Sequence, residues 1–137
     1  GNKVFLPVND PGALFHIGDG HAAQGDGEVC GVATEIPTRG TFTFDLIKAN
    51  AIGTPRIESD EFIMAVGSAR PMEDAARIAF YELILWLEQD FGIDRMTGYQ
   101  LCSQVARVRL ANMVDILYSV VAKFPKKFLP RSRDKGR

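Results

Sequence analysis

The chain has 137 residues, 46% of them hydrophobic and 24% charged, with a formal net charge of −1. That is enough apolar matter for one core, so disorder over most of the length is excluded. No apolar run approaches the ~20 residues of a membrane-spanning helix, and no apolar leader opens the sequence.

The charge is uneven. Residues 123–137 hold seven basic side chains against Asp134 alone, a local +6, which leaves −7 on the first 122 residues. No aromatic residues interleave with the arginines of this tail as a stacking platform for nucleic acid would need. The expectation is a solvated basic tail over 131–137, with Phe124 and Phe128 pinning the segment before it, and neither a nucleic-acid nor a membrane partner. Cys30 and Cys102 lack the spacing of a metal knuckle or a CxxC pair. Two free thiols in a reducing cytoplasm is the simpler reading.

Eight of the 13 glycines fall in the first 40 residues, and residues 1–67 read as strands and turns. Glu28–Glu35 is a small-residue strand. Thr41–Lys48 alternates, with Thr41, Thr43 and Asp45 on one side and Phe42, Phe44 and Leu46 on the other. Glu61–Gly67 is a mostly apolar strand of the buried kind. Residues 71–91 read as a helix: Pro71 suits its first turn, Glu73 and Asp74 complement its dipole, and Gly92 caps its end. Its apolar face is Ala75, Ile78, Ala79, Leu83, Trp86 and Leu87. Asp94 caps a second helix running to about Val105. A last strand covers Ile116–Phe124, rich in β-branched residues. The predicted class is α+β: antiparallel strands, sandwich- or roll-like, with a pair of helices on one side, in one domain over residues 1–130.

One segment carries chemistry. Gly18–Glu28 packs four glycines, three carboxylates, His21 and Gln24 into eleven residues. Glycines are expected where the backbone turns unusually or approaches something closely. Asp19 and His21 are two apart, and in an extended segment both side chains point the same way. A carboxylate beside an imidazole makes a pair of metal ligands. Asp26 and Glu28 repeat the spacing. On spacing alone, a metal or catalytic site and a turn with internal hydrogen bonds remain equal readings, because Gly-Asp-Gly is a common turn. The segment fits neither an EF-hand nor a phosphate loop. Cys30 shares a strand face with Glu28, but a buried strand cysteine is usually inert. His16, between Phe15 and Ile17, reads as a packed or surface residue.

The run Gly18–Gly31 (GDGHAAQGDGEVCG) closely resembles the acetamidase/formamidase family. So do Leu6-Pro7-Val8-Asn9, Pro11–Phe15, Glu35, Phe44-Asp45-Leu46, the helix start at Met72–Ala75 and the Gln104–Asp115 stretch. The resemblance implies a metal-dependent hydrolase of short aliphatic amides, releasing ammonia and a carboxylate. It implies Asp19 and His21 as metal ligands and Glu28 as a further acidic site residue; Glu28 is read here as the catalytic one, with Gln24 and Asp26 as substrate-binding candidates. A mixed nitrogen and oxygen set suits zinc; an all-oxygen set that includes Asp26 suits calcium. Family members are longer, and this sequence corresponds to their second half. The implied partners are therefore a small amide, other copies of the chain in a homo-oligomer, or a companion N-terminal segment that completes a β-sandwich. Two readings stand beside catalysis by a metal: a non-catalytic part of a larger amidase assembly, and a cysteine-dependent amidase using Cys30 with Glu28.

Overall fold

The computed structural model describes residues 1–48 and 51–130. The basic tail at 131–137 lies outside the described residues. Five antiparallel strands make one sheet: β1 (Lys3–Phe5), β2 (Arg56–Glu58), β3 (Phe62–Ala69), β4 (Arg107–Asn112) and β5 (Tyr118–Pro125), in the order β1-β2-β3-β5-β4. Helices α1 (Met72–Phe91) and α2 (Arg95–Val105) connect β3 to β4. The α+β class is as expected, with both helices on one face of the sheet.

Register explains how the helix docks. Ile63 pairs with Phe124, Ala65 with Ala122, and Gly67 with Val120, and all six residues are buried. Side-chain volume therefore tapers along the β3–β5 seam. Against it α1 buries Ala75, Ala79, Leu83 and Leu87, spaced every fourth residue on one helical stripe. Cys102 of α2 joins the same core, and burial pushes its thiol pKa up to about 11, so it is an inert packing residue. Cys30 is exposed, and neither cysteine is in a disulfide.

The helix ends follow the predicted signals. Gly92 takes the left-handed conformation (φ 68°), and its N–H caps α1. Pro71 stands one residue earlier than expected, at the N-cap. Asp94 Oδ1 accepts from the N–H groups of Met96 and Thr97, both at 3.1 Å. Hydrogen bonds from Thr97, then Met96, hold this carboxyl below its usual pKa. A lowered folded-state pKa gives stability that is present above the ordinary carboxylate pKa and lost as pH falls through the lowered value. Asp94→Asn keeps a capping oxygen without the charge. It should flatten the acid limb of the stability curve between those two values, as followed by urea unfolding at stepped pH.

Four expectations are corrected. Glu28–Glu35 is not a strand: a 3-10 turn covers Asp26–Glu28, and Glu35 alone forms a bridge, opposite His21. Thr41–Lys48 forms no strand, because no neighbouring strand offers it backbone partners among the described residues. Ile78 is partly exposed, whereas Glu82, absent from the expected apolar face, is buried. The last strand begins at Tyr118 rather than Ile116. No helix among the described residues is long and apolar enough to cross a membrane.

Candidate metal and amide site

The residues from Gly20 to Ile36 fold back on themselves. Ala22 N–H donates to Thr34 O at 2.8 Å, Thr34 N–H to Ala23 O at 3.0 Å and Ile36 N–H to Gly20 O at 3.2 Å. This short antiparallel ladder sets Glu35 across from His21. Asp19 reaches the same ring by another route than the extended spacing supposed. Its backbone is left-handed (φ 58°), a conformation that short acidic side chains tolerate.

His21 Nε2 therefore lies 3.1 Å from Asp19 Oδ1 and 2.9 Å from Glu35 Oε1. Donor atoms of Asp19, His21 and Glu35 all lie within 4.8 Å of one another. The His21 side chain is 13% exposed, while Asp19 and Glu35 are 78% and 57% exposed, so the cluster opens on the carboxylate side. Despite its two near neighbours, Nε2 has no hydrogen-bond partner of good geometry. An enclosed ring nitrogen facing two carboxylates without a hydrogen bond is a site that asks for a positive charge. In keeping with this, the His21 pKa is raised: desolvation opposes it, but the Gln24 hydrogen bond and the Asp19 and Glu35 charges outweigh that.

Two side chains tie the catalytic candidate, Glu28, into place. Gln24 Oε1 lies 3.0 Å from His21 Nδ1, and Gln24 Nε2 donates to Glu28 Oε2 at 3.5 Å and to Ala111 O at 3.3 Å. Asn112 Nδ2 donates to the same Glu28 Oε2 at 3.3 Å, while Asn112 Oδ1 accepts from the N–H groups of Val114 and Asp115. The β4–β5 register shifts between Leu110 and Asn112, and this bulge turns the Ala111 carbonyl and Asn112 amide toward the turn. Gly27, at φ 82°, presses on β4: an added Cβ would come within 3.0 Å of Leu110 Cδ2. Glu28 itself sits at φ 47°, an uncommon backbone state for its residue type.

Asp26 is elsewhere. Arg109 Nε donates to both its oxygens, at 2.9 and 2.8 Å, and Arg109 Nη2 donates to Oδ1 as well. This bidentate pair lowers the Asp26 pKa, the Arg109 hydrogen bond being the main cause. It also takes Asp26 out of the His21 cluster. A hollow of ≈510 Å³ beside the turn is lined by Gln24, Asp26, Glu28, Cys30 and Thr34 among others. Cys30 Sγ donates to Val32 O at 3.4 Å, which gives it no base as a partner in that contact. His16 is exposed, as one of its two readings had it.

So the structure brings Asp19 and His21 together and connects Glu28 to them through Gln24. The sequence reading missed Glu35, Arg109 and Asn112 as site residues. Glu35 had a signal, since it belongs to the matched family pattern. Arg109 and Asn112 are more than 80 residues from the turn they hold.

Comparison with known proteins agrees over this whole region. The profile of the acetamidase/formamidase family matches residues 1–129. The chain belongs to that family. It is 47% identical to the acetamidase of Yersinia enterocolitica, with a TM-score of 0.87 over 96% of this chain and 40% of that one. The acetamidase of Bacillus halodurans is 25% identical, with a TM-score of 0.75 over 93% of this chain and 43% of that one. A Schizosaccharomyces pombe protein named for formamidase is 38% identical over 84 residues, which are 60% of this chain and 20% of that protein. The chain thus spans less than half the length of these members of the acetamidase/formamidase family.

Proposed function

We propose that this chain carries the metal-holding half of a hydrolase acting on short aliphatic amides. Asp19, His21 and Glu35 would hold a divalent cation. One imidazole nitrogen with two carboxylates is a mixed set that suits zinc. Calcium through Asp26 is disfavoured, because Arg109 already claims both Asp26 oxygens. The observation that carries this reading is the enclosed Nε2 facing two carboxylates, at 3.1 and 2.9 Å, without a hydrogen bond of good geometry to either. When bound, the cation supplies Lewis acidity toward the amide carbonyl and toward water.

The chain's own residues supply the rest. Two amide donors fix Glu28 Oε2, which leaves Oε1 to take a proton from water and to pass one to the departing nitrogen. The hollow beside Glu28 receives the small amide. Cleavage releases ammonia and a carboxylate.

Elemental analysis tests the reading directly. One divalent ion per chain is expected, lost in His21→Ala and on chelation, with ammonia release from acetamide or formamide lost in parallel. Full amide turnover with no ion, or in His21→Ala, overturns it. Inactivation by iodoacetamide with chelators harmless would transfer the chemistry to Cys30.

A second reading, that the chain alone lacks turnover and completes a larger assembly, has its own observation. Phe15, Phe42 and Phe44 form an exposed aromatic cluster with ring centroids 4.8 to 6.5 Å apart, and Leu14, Ile17, Leu46 and Ile47 are exposed too. Apolar surface concentrated on one arm marks an interaction face. We propose that the polypeptide by which the longer relatives exceed this chain covers it. Light scattering with an amidase assay separates the cases: a self-associating chain with full turnover argues for a homo-oligomer of complete sites instead.

A further inference from the structure

The Gln24 side chain uses its oxygen and its nitrogen in opposite directions, and that determines which one it offers to His21. Its Nε2 faces two acceptors, Glu28 Oε2 and Ala111 O. Turning the amide over would set Oε1 against both of them, three oxygens with no hydrogen between. The amide is therefore fixed with Oε1 toward the ring, 3.0 Å from His21 Nδ1. An oxygen there can only accept, so Nδ1 must carry the hydrogen. In the neutral ring the lone pair then falls on Nε2, the atom facing Asp19 and Glu35.

We infer that Gln24 is a positioning residue, not a substrate ligand: its amide locks His21 in the Nδ1–H tautomer, which points the Nε2 lone pair into the carboxylate pair, and links that ring mechanically to Glu28. Without this lock the two carboxylates would draw the hydrogen to Nε2 and close the ligand atom off. The backbone carbonyl of Ala111, displaced by the β4 bulge, is what keeps the amide from turning. Its consequence for ion affinity rests on the metal-holding reading above; the tautomer itself does not.

Imidazole ¹⁵N NMR reads the tautomer directly. The chain has only two histidines, and a His16→Asn background leaves one set of ring signals. In metal-free protein, at alkaline pH where the ring is neutral, His21 is expected with Nδ1 protonated and Nε2 bare. Gln24→Met removes the acceptor and should reverse the assignment. Zinc affinity, measured by calorimetry on the same proteins, should fall about 10–100-fold in Gln24→Met. An Nε2–H ring in the parent chain, or an unchanged Nδ1–H ring in Gln24→Met, overturns the inference even if zinc binds. The expected tautomer reversal with no zinc bound by any of the proteins upholds the inference and sinks the metal-holding reading.

Discussion

Replacing Glu82 by alanine should destabilise the fold by about 3–5 kcal/mol, because it strands a buried cation. Arg56 on β2 is 2% exposed and Glu82 on α1 is 4% exposed. Arg56 Nε donates to Glu82 Oε1 at 2.8 Å, and Arg56 Nη2 lies 2.7 Å from the same oxygen. Nη2 also donates to Gln89 Oε1 at 2.9 Å, and the guanidinium lies 5.2 Å from the Trp86 ring centroid. Without the carboxylate, that charge keeps only neutral partners in the contacts described, one amide oxygen and one ring face. The pair itself need not be strongly favourable, since the Coulomb gain is set against the desolvation of two ions. The double variant Arg56→Met with Glu82→Leu should therefore recover most of the loss. Urea unfolding of Arg56→Met, Glu82→Leu and the double variant completes the cycle. A loss under about 1 kcal/mol in Glu82→Ala would mean that Arg56 is reached by solvent in solution. The pair fastens β2, and through it the edge strand β1, to the long helix. Phe5 of β1 adds an edge-to-face contact with Trp86, at 5.7 Å between centroids.

That pair also shows why the helix face was only partly legible. Spacing picks out Ala75, Ala79, Leu83, Trp86 and Leu87, and the structure buries them all. Glu82 lies on the same stripe, but a carboxylate reads as solvent-facing until its arginine, 26 residues earlier, is known. Both helices were readable because their signals are local: Gly92 for a left-handed cap, Asp94 for a hydrogen-bonded one. Strands β1 and β2 were not, since three residues carry no period and exist only through pairing. Thr41–Lys48 is the instructive failure. Its alternation is real, and it gathers Phe42 and Phe44 beside Phe15, yet the described residues supply no sheet to cover that face. Alternation records that a face is to be buried, not by which polypeptide. The site divides in the same way. Asp19, His21 and Glu28 could be read within one glycine-rich turn, whereas Glu35 arrives by cross-strand pairing and Asn112 by a bulge in a distant strand.

Gly67→Ala should cost about 3 kcal/mol or more, although it adds a single methyl group. Gly67 lies in the middle of the sheet where α1 comes closest. A Cβ built there would stand 2.0 Å from the carbonyl oxygen of Ala75 and 2.6 Å from the backbone nitrogen of Ala79. Both obstacles are main-chain atoms of a helix, so no rotamer change relieves the contact, and α1 as a whole has to lift. Lifting it also opens the seam at Ala65–Ala122 and Ile63–Phe124, whose side chains have no exposed surface to exchange for lost packing. Gly18→Ala is the matched control: nothing lies within 4 Å of the added atom. It should leave stability unchanged within about 0.5 kcal/mol or raise it slightly through the unfolded chain. Equal denaturation midpoints for the two alanine variants would show that the helix does not close on β3 as tightly as the register requires.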